Sequence, residues 1–391
     1  MAVTLGEVDA YRKAGLERFT DGVDPFEPIP EHASLMKLRQ RADGGCVFLS
    51  PSGLCQIHEA LGYDRKPIAC RLFPLRFHPV ELRGAGAGVN NDVVVTTSFA
   101  CPTVISNEGT PLPSQQRDIH KLYIAWKDAH PESPNTVEFV AGRAFPAALL
   151  PELRRVLLRI LDTPAPDGSF DLSVSIRRLA FLVEDLSRRR VLQLPDADLS
   201  QYFDVMSRHV LTPGRMPPSR PPSGLTRLLF RGFLLTAMSV QLHLDLQLRK
   251  KRSAVRAALV RLALHLHGLG NGLPIFDLRT IRGVSLDLAD DDIRETATHF
   301  LRSVFSTLGT GRRPMVEEIA VAVAILNCAC VFARMHAGRL NYRTVDAASF
   351  TEGLLQSADV THADAGGIVS RFLTRLSGGI DALYLFPAST I

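Results

Sequence analysis

From about residue 114 onward, apolar residues recur at three- and four-residue intervals with Arg or Asp between them, which is the period of an amphipathic helix. The spacing predicts helices over 114–129, 135–147, 149–161, 173–190, 198–210, 225–247, 250–267, 289–307, 315–338, 344–356 and 365–376. Within 173–190, Leu179, Leu182, Val183 and Leu186 form the apolar side, and Arg177, Arg178, Arg188 and Arg189 are assigned to the polar one. Pro164, Pro166, Asp167 and Gly168 break the pattern. The run from Thr212 to Gly224, with Pro213, Pro217, Pro218, Pro221 and Pro222, reads as a linker. Residues 268–286 are Gly-rich and aperiodic, and no repeat recurs at solenoid spacing.

Before residue 114 the pattern is irregular. Short helices are expected over 32–42 and, after the Ser50-Pro51-Ser52-Gly53 turn, over 54–62. Arg76 to Leu82 and Val93 to Phe99 read as strands. Between them, Gly84 to Gly88 and Asn90-Asn91-Asp92 supply turn chemistry, so a β-hairpin is expected. The expected fold class is mostly α: a small irregular α+β cysteine-rich N-terminal module with a β-hairpin, followed by a large all-α helical region. The divisions are a module over 1–110, a helical region over 111–212, a Pro-rich linker over 213–224 and a helical domain over 225–391.

Composition narrows the class without naming a function. The chain has 391 residues, enough for two or three domains at roughly 150 residues each. Hydrophobic residues are 46% and charged residues 22%, so a sizeable core forms and a disordered chain is excluded. The net charge of +5 permits an anionic partner and does not demand one. The first residues carry charges throughout and lack the apolar run of a signal peptide. Ile319 to Ala333, bounded by Glu318 and Arg334, falls short of the ~18 apolar residues of a spanning segment. A buried core helix is expected there, and no membrane partner. A cytoplasmic location is the expectation, and in a reducing compartment clustered cysteines favour metal over disulfides.

Four of the six cysteines, Cys46, Cys55, Cys70 and Cys101, fall in the irregular module with spacing C-x8-C-x14-C-x30-C. Four thiolates suit a soft or borderline ion, either tetrahedral zinc or an iron–sulfur cluster. The expected hairpin returns the chain from Cys70 toward Cys101. Against this stands the plain reading of four reduced, buried cysteines, since free Cys is a common core residue. No C-x2-C pair is present, and spacing alone leaves the two readings balanced.

The flanking residues add to this. Cys46-Val47-Phe48-Leu49, then Gly53-Leu54-Cys55-Gln56-Ile57, then Cys70-Arg71-Leu72-Phe73-Pro74, then Cys101-Pro102 resemble the YkgJ-type cysteine-cluster family. That family is described as a zinc- or iron-chelating domain and includes flagellin lysine-N-methylases. The resemblance covers about residues 1–105. It implies Cys46, Cys55, Cys70 and Cys101 as ligands of an iron–sulfur cluster, of the 4Fe–4S type, or of zinc. It also admits an S-adenosylmethionine-dependent protein lysine N-methylase, with a protein as partner or substrate, although no donor-binding loop or catalytic residue is identifiable. Family members carry an upstream cysteine group, whereas this chain opens at Met1 on a segment whose Thr4-Leu5-Gly6-Glu7 resembles the stretch just downstream of that group. An upstream cysteine-bearing segment is therefore expected in the genomic frame.

Around the cysteines, Arg71 could offset thiolate charge or make an ordinary ion pair. Phe73 and Pro74 are expected to shape the chain and shield the site, and Gly53 to permit the turn before Cys55. His58, three residues after Cys55, is a substitute zinc ligand or, more plainly, a surface histidine, and His78 is a similar case. Cys328 and Cys330 stand two apart on an expected helix, on different faces, and read as core; His265 and His267 share that geometry. Gly84 to Gly88 lacks the G-x-G-x-x-G spacing of a dinucleotide site. Arg249 to Arg252 reads as a solvated face, so nucleic acid is not the expected partner.

Overall fold

The computed structural model describes residues 2–20, 22–29, 35–41, 46–52, 54–81, 91–99, 101–105, 110–129, 137–212, 221–224, 226–227, 230, 234, 283–309, 313–363, 383–384 and 386. The fold is mostly α, 61% helical and 12% strand, with small antiparallel sheets near the N-terminus. The expected helices over 250–267 and 365–376, and most of 225–247 and of the 213–224 linker, lie outside the described residues. The chain divides into two compact units, the first drawn chiefly from residues 1–77 and 109–133, the second from 78–108 and most of the rest.

In the first unit, β1 (Ala2–Thr4), β2 (Phe26–Pro28) and β3 (Leu35–Leu38) form a sheet in the order β1-β3-β2. Both pairings are antiparallel, with Val3 opposite Met36 and Glu27 opposite Lys37. The helix expected over 32–42 is thus corrected to a strand. Leu35-Met36-Lys37-Leu38 is too short for periodicity to separate the two states, and pairing on both edges decides it. α1 (Leu5–Lys13) begins at a capping box: Thr4 Oγ1 accepts from Glu7 N at 3.3 Å, and Thr4 N donates to Glu7 Oε2 at 2.9 Å. α2 (Gln56–Leu61) and α3 (Ile68–Leu72) come next in this unit. The core is Val3, Val8, Tyr11, Leu16, Phe26, Leu38, Phe48 and Ile57.

β4 (Leu75–Glu81) and β5 (Asn91–Thr97) pair as expected, while the expected turn between them, Gly84 to Gly88 and Asn90, lies outside the described residues. α4 (Pro102–Ile105) lies in the second unit, and α5 (Gln116–Ala129) returns to the first, where it packs on α3. In the second unit, β6 (Glu138–Val140) and β7 (Arg143–Ala144) are an antiparallel pair where the periodicity predicts a helix over 135–147. Gly142, with φ +73°, makes the turn that a helix cannot, and Phe139 on the strand is fully buried. Further helices among the described residues are α6 (Leu150–Leu161), α7 (Leu172–Leu186), α8 (Arg189–Leu192), α9 (Asp196–Leu211), α10 (Asp291–Ser306), α11 (Met315–Arg339) and α12 (Ala347–Ala363).

α7 corrects a facing assignment. Arg178 lies on the buried side and is fully enclosed, its Nη1 donating to Thr163 O at 2.7 Å beyond the end of α6. It precedes Leu182 by one turn and shares its face, so the run of arginines in the sequence hides a buried member. Arg154 makes a comparable contact, donating through Nε and Nη2 to Leu308 O at 3.0 and 2.7 Å.

α11 is the one helix among the described residues long and apolar enough to cross a bilayer, and 78% of its most apolar window is buried inside the protein. That burial is what a core helix shows. Cys328 and Cys330 are both buried in it, as expected, and burial pushes both thiols up.

α12 starts after Asp346, whose carboxylate accepts from Ser349 N at 2.8 Å. Hydrogen bonds from the Ser349 side chain and backbone hold that carboxyl below its ordinary value. A depressed folded value stabilises the protein above the unfolded carboxylate value of about 3.9, and the stabilisation is lost as pH falls through the lower folded value. Asp346→Ala is therefore expected to cost about 1 kcal/mol at pH 7. The gap from wild type in thermal unfolding should close in acid.

Candidate metal centre

Three of the four cysteines belong to the first unit and are placed by short local devices. Cys46 opens a turn in which Leu49 N donates to Cys46 O at 3.0 Å. Leu49 then pairs with Cys55 in an isolated antiparallel bridge, flanked by Ser50 N to Leu54 O at 2.8 Å and Gln56 N to Phe48 O at 2.9 Å. Ser50 Oγ accepts from Leu54 N at 3.1 Å and tightens this loop. Gly53, expected to permit the turn, lies outside the described residues. Cys55 is the residue before α2, and its carbonyl accepts from Glu59 N at 3.0 Å. Cys70 sits in α3, where Pro67 O accepts from Cys70 N at 2.8 Å and from Arg71 N at 3.1 Å.

All three are half-buried and pack against the same apolar core, with Phe48 and Ile57 between them in sequence. Burial pushes the Cys70 thiol up to about 12, and the neighbouring Cys46 and Cys55 add to the rise, while Lys66 opposes it. Tyr11 is raised by burial first, then by Glu7 and Cys70, with Arg71 acting the other way. Arg71 Nε is buried and has no hydrogen-bond partner among the described residues. This cation follows Cys70 directly in the chain, where it would offset accumulated thiolate charge.

Cys101 belongs to the second unit. It leads into α4: Cys101 N donates to Ser98 O at 3.1 Å, and its carbonyl accepts from Val104 N at 3.0 Å. His299 of α10 reaches this turn through a hydrogen bond to the Val104 backbone, and its ring lies 5.2 Å from that of Phe99. Burial lowers the His299 value, with Arg302 adding to the effect.

Among the described residues, no three or more His, Cys, Asp or Glu side chains are gathered as a metal-holding group. The donor chemistry of Cys46, Cys55 and Cys70, three sulfurs against one apolar core, is of the type a soft ion takes. His58 is exposed and edge-on to Tyr63 at 6.0 Å, which is the surface reading. His78 Nε2 lies 3.0 Å from Thr96 Oγ1, a bond across the hairpin. Phe73, expected to shield the site, is instead 51% exposed at the C-terminal end of α3.

Two residues that cysteine spacing could not find complete the surroundings. Glu7 Oε1 accepts from Ile68 N at 2.7 Å, and Tyr11 Oη donates to Arg65 O at 2.9 Å. The signal for Glu7 is the Thr4-x-x-Glu7 capping pattern, which marks a helix start but not its long-range partner. Comparison with protein-family models, with curated proteins and with solved structures returned no match.

Proposed function

We propose that the chain is a metal-binding protein that holds an iron–sulfur cluster or zinc through cysteine thiolates, with its helical part serving partner contact. Cys46, Cys55 and Cys70 are the ligands of the first unit, and Cys101 is the fourth thiolate of the sequence motif. The observation that carries this reading is that Cys46, Cys55 and Cys70, far apart along the chain, pack against one apolar core. Thiols against one core acquire like charge on ionising, and a positive partner offsets it. A metal supplies that charge, favours the thiolate over the thiol and fastens an irregular segment with little secondary structure of its own.

Anaerobic purification tests this. An iron–sulfur protein is expected to be brown, with broad absorbance near ~400 nm and iron matched by acid-labile sulfide. A zinc protein is expected to be colourless with about one zinc per chain. Cys101→Ser then separates three thiolates from four: full metal retention in that variant removes Cys101 from the ligand set. Protein that is metal-free as purified, and takes up neither iron with sulfide nor zinc on reconstitution, contradicts the proposal.

A further inference from the structure

α1 carries Glu7 and Tyr11 one turn apart, on one face. Both reach the same short segment of chain. Tyr11 Oη donates to the Arg65 carbonyl at 2.9 Å, across 54 residues of sequence. Glu7 Oε1 accepts from the Ile68 amide at 2.7 Å, across 61. Ile68 is the first residue of α3, and Cys70 and Arg71 lie within the same turn.

Each contact is braced from behind. The other Glu7 oxygen, Oε2, accepts from Thr4 N at 2.9 Å and Thr4 Oγ1 at 3.0 Å, so the carboxylate is fixed by the capping box before it meets Ile68. Tyr11 is 5% exposed and its ring stacks on Phe26, with centroids 6.0 Å apart and planes at 11°. A carboxylate and a hydroxyl so held have one position each. They set where α3 begins and therefore where Cys70 stands.

We infer that Glu7 and Tyr11 are positioning residues of the cysteine centre, forming a clamp on α1 that presents Cys70 to the metal. The inference rests on the metal-binding proposal. Outer residues that orient ligands typically change metal affinity 10–100-fold when removed. A capping carboxylate with only a helix-starting role would not.

The test uses the full chain, stripped of metal and titrated with Co²⁺, whose sulfur-to-cobalt charge-transfer band reports thiolate geometry. Glu7→Ala should weaken Co²⁺ binding about 10–100-fold and shift or weaken that band. Glu7→Gln keeps an oxygen acceptor for Ile68 N and should recover most of the affinity and the wild-type band. Tyr11→Phe removes one hydroxyl without altering the ring stack and should weaken binding about 10-fold. It decides the matter if Glu7→Ala does not fold, which helical circular dichroism would show.

Wild-type affinity and an unchanged band in both Glu7→Ala and Tyr11→Phe overturn the clamp while leaving the metal proposal standing. A wild-type chain that gives no charge-transfer band overturns the clamp, and the metal proposal falls with it when the chain also takes up neither iron with sulfide nor zinc. Equal loss in Glu7→Gln and Glu7→Ala also overturns it, because charge rather than the Ile68 contact would then be what matters.

Discussion

Gly353→Ala should lower the stability of the second unit by about 3 kcal/mol, the largest loss expected at any described glycine. Gly353 lies in α12 where that helix meets α11. A Cβ there would stand 2.5 Å from Ala329 O and 2.6 Å from Ala333 N. Both are backbone atoms of α11, so no side chain can swing away and the helices must separate. Ala329 and Ala333 are one turn apart and fully buried, which makes a small-residue seam for close approach. Helix propensity argues the other way, favouring Ala over Gly by about 1 kcal/mol. Overpacking against backbone should outweigh it. A fall in Tm of roughly 6–12 °C is expected for a unit of this size. Gly6→Ala, in α1 with nothing within 4 Å of the new methyl, is the control and should be neutral or stabilising. An unchanged or raised Tm for Gly353→Ala would show that the crossing has slack.

Cys70→Ser should abolish metal retention and weaken the first unit. Serine offers a hard oxygen where a soft donor is needed, and its hydroxyl enters an apolar shell at a cost of about 1–3 kcal/mol. Loss of bound metal removes a further ~4 kcal/mol of linkage if the free ion is held near a thousand times its Kd. Trp126, the only tryptophan, reports this unit. It lies on α5, 5.9 Å from Phe77 and 6.2 Å from Tyr123, and α5 packs on the helix that carries Cys70. Its emission should show unfolding at lower denaturant in Cys70→Ser than in wild type. Cys328→Ala, buried in α11, should leave metal content untouched. Equal metal and equal Trp126 transitions in Cys70→Ser and wild type would reduce the thiols to core residues.

The long helices are legible in the sequence because their burial is one-sided or total over many turns. α6 and α10 carry apolar residues at the expected intervals, and α11 holds an uncharged run closed by Glu318 and Arg334. Short elements are not legible in this way. Leu35 to Leu38 gains its strand state from β1 and β2, which lie elsewhere in the sequence, and Glu138 to Ala144 gains its hairpin from Gly142. α1 has too few turns for a clear apolar period, although Thr4 and Glu7 spell its start. At the site, the order of cysteines and their flanks points to Cys46, Cys55, Cys70 and Cys101; the first three pack against one core, Cys101 belongs to the second unit, and the described residues gather no metal-holding group. The contacts of Glu7 with Ile68 and of Tyr11 with Arg65 are tertiary, and no local period encodes them. Arg178 escapes the facing rule for a related reason: charge marks the outside on average, and a carbonyl waiting in the interior reverses it.

X-ray absorption at the metal edge of the anaerobically purified protein examines sulfur ligation directly. Thiolate ligation predicts a first shell of sulfur scatterers at ~2.3 Å, diminished in Cys70→Ser. A first shell of oxygen and nitrogen alone, identical in wild type and Cys70→Ser, would contradict it.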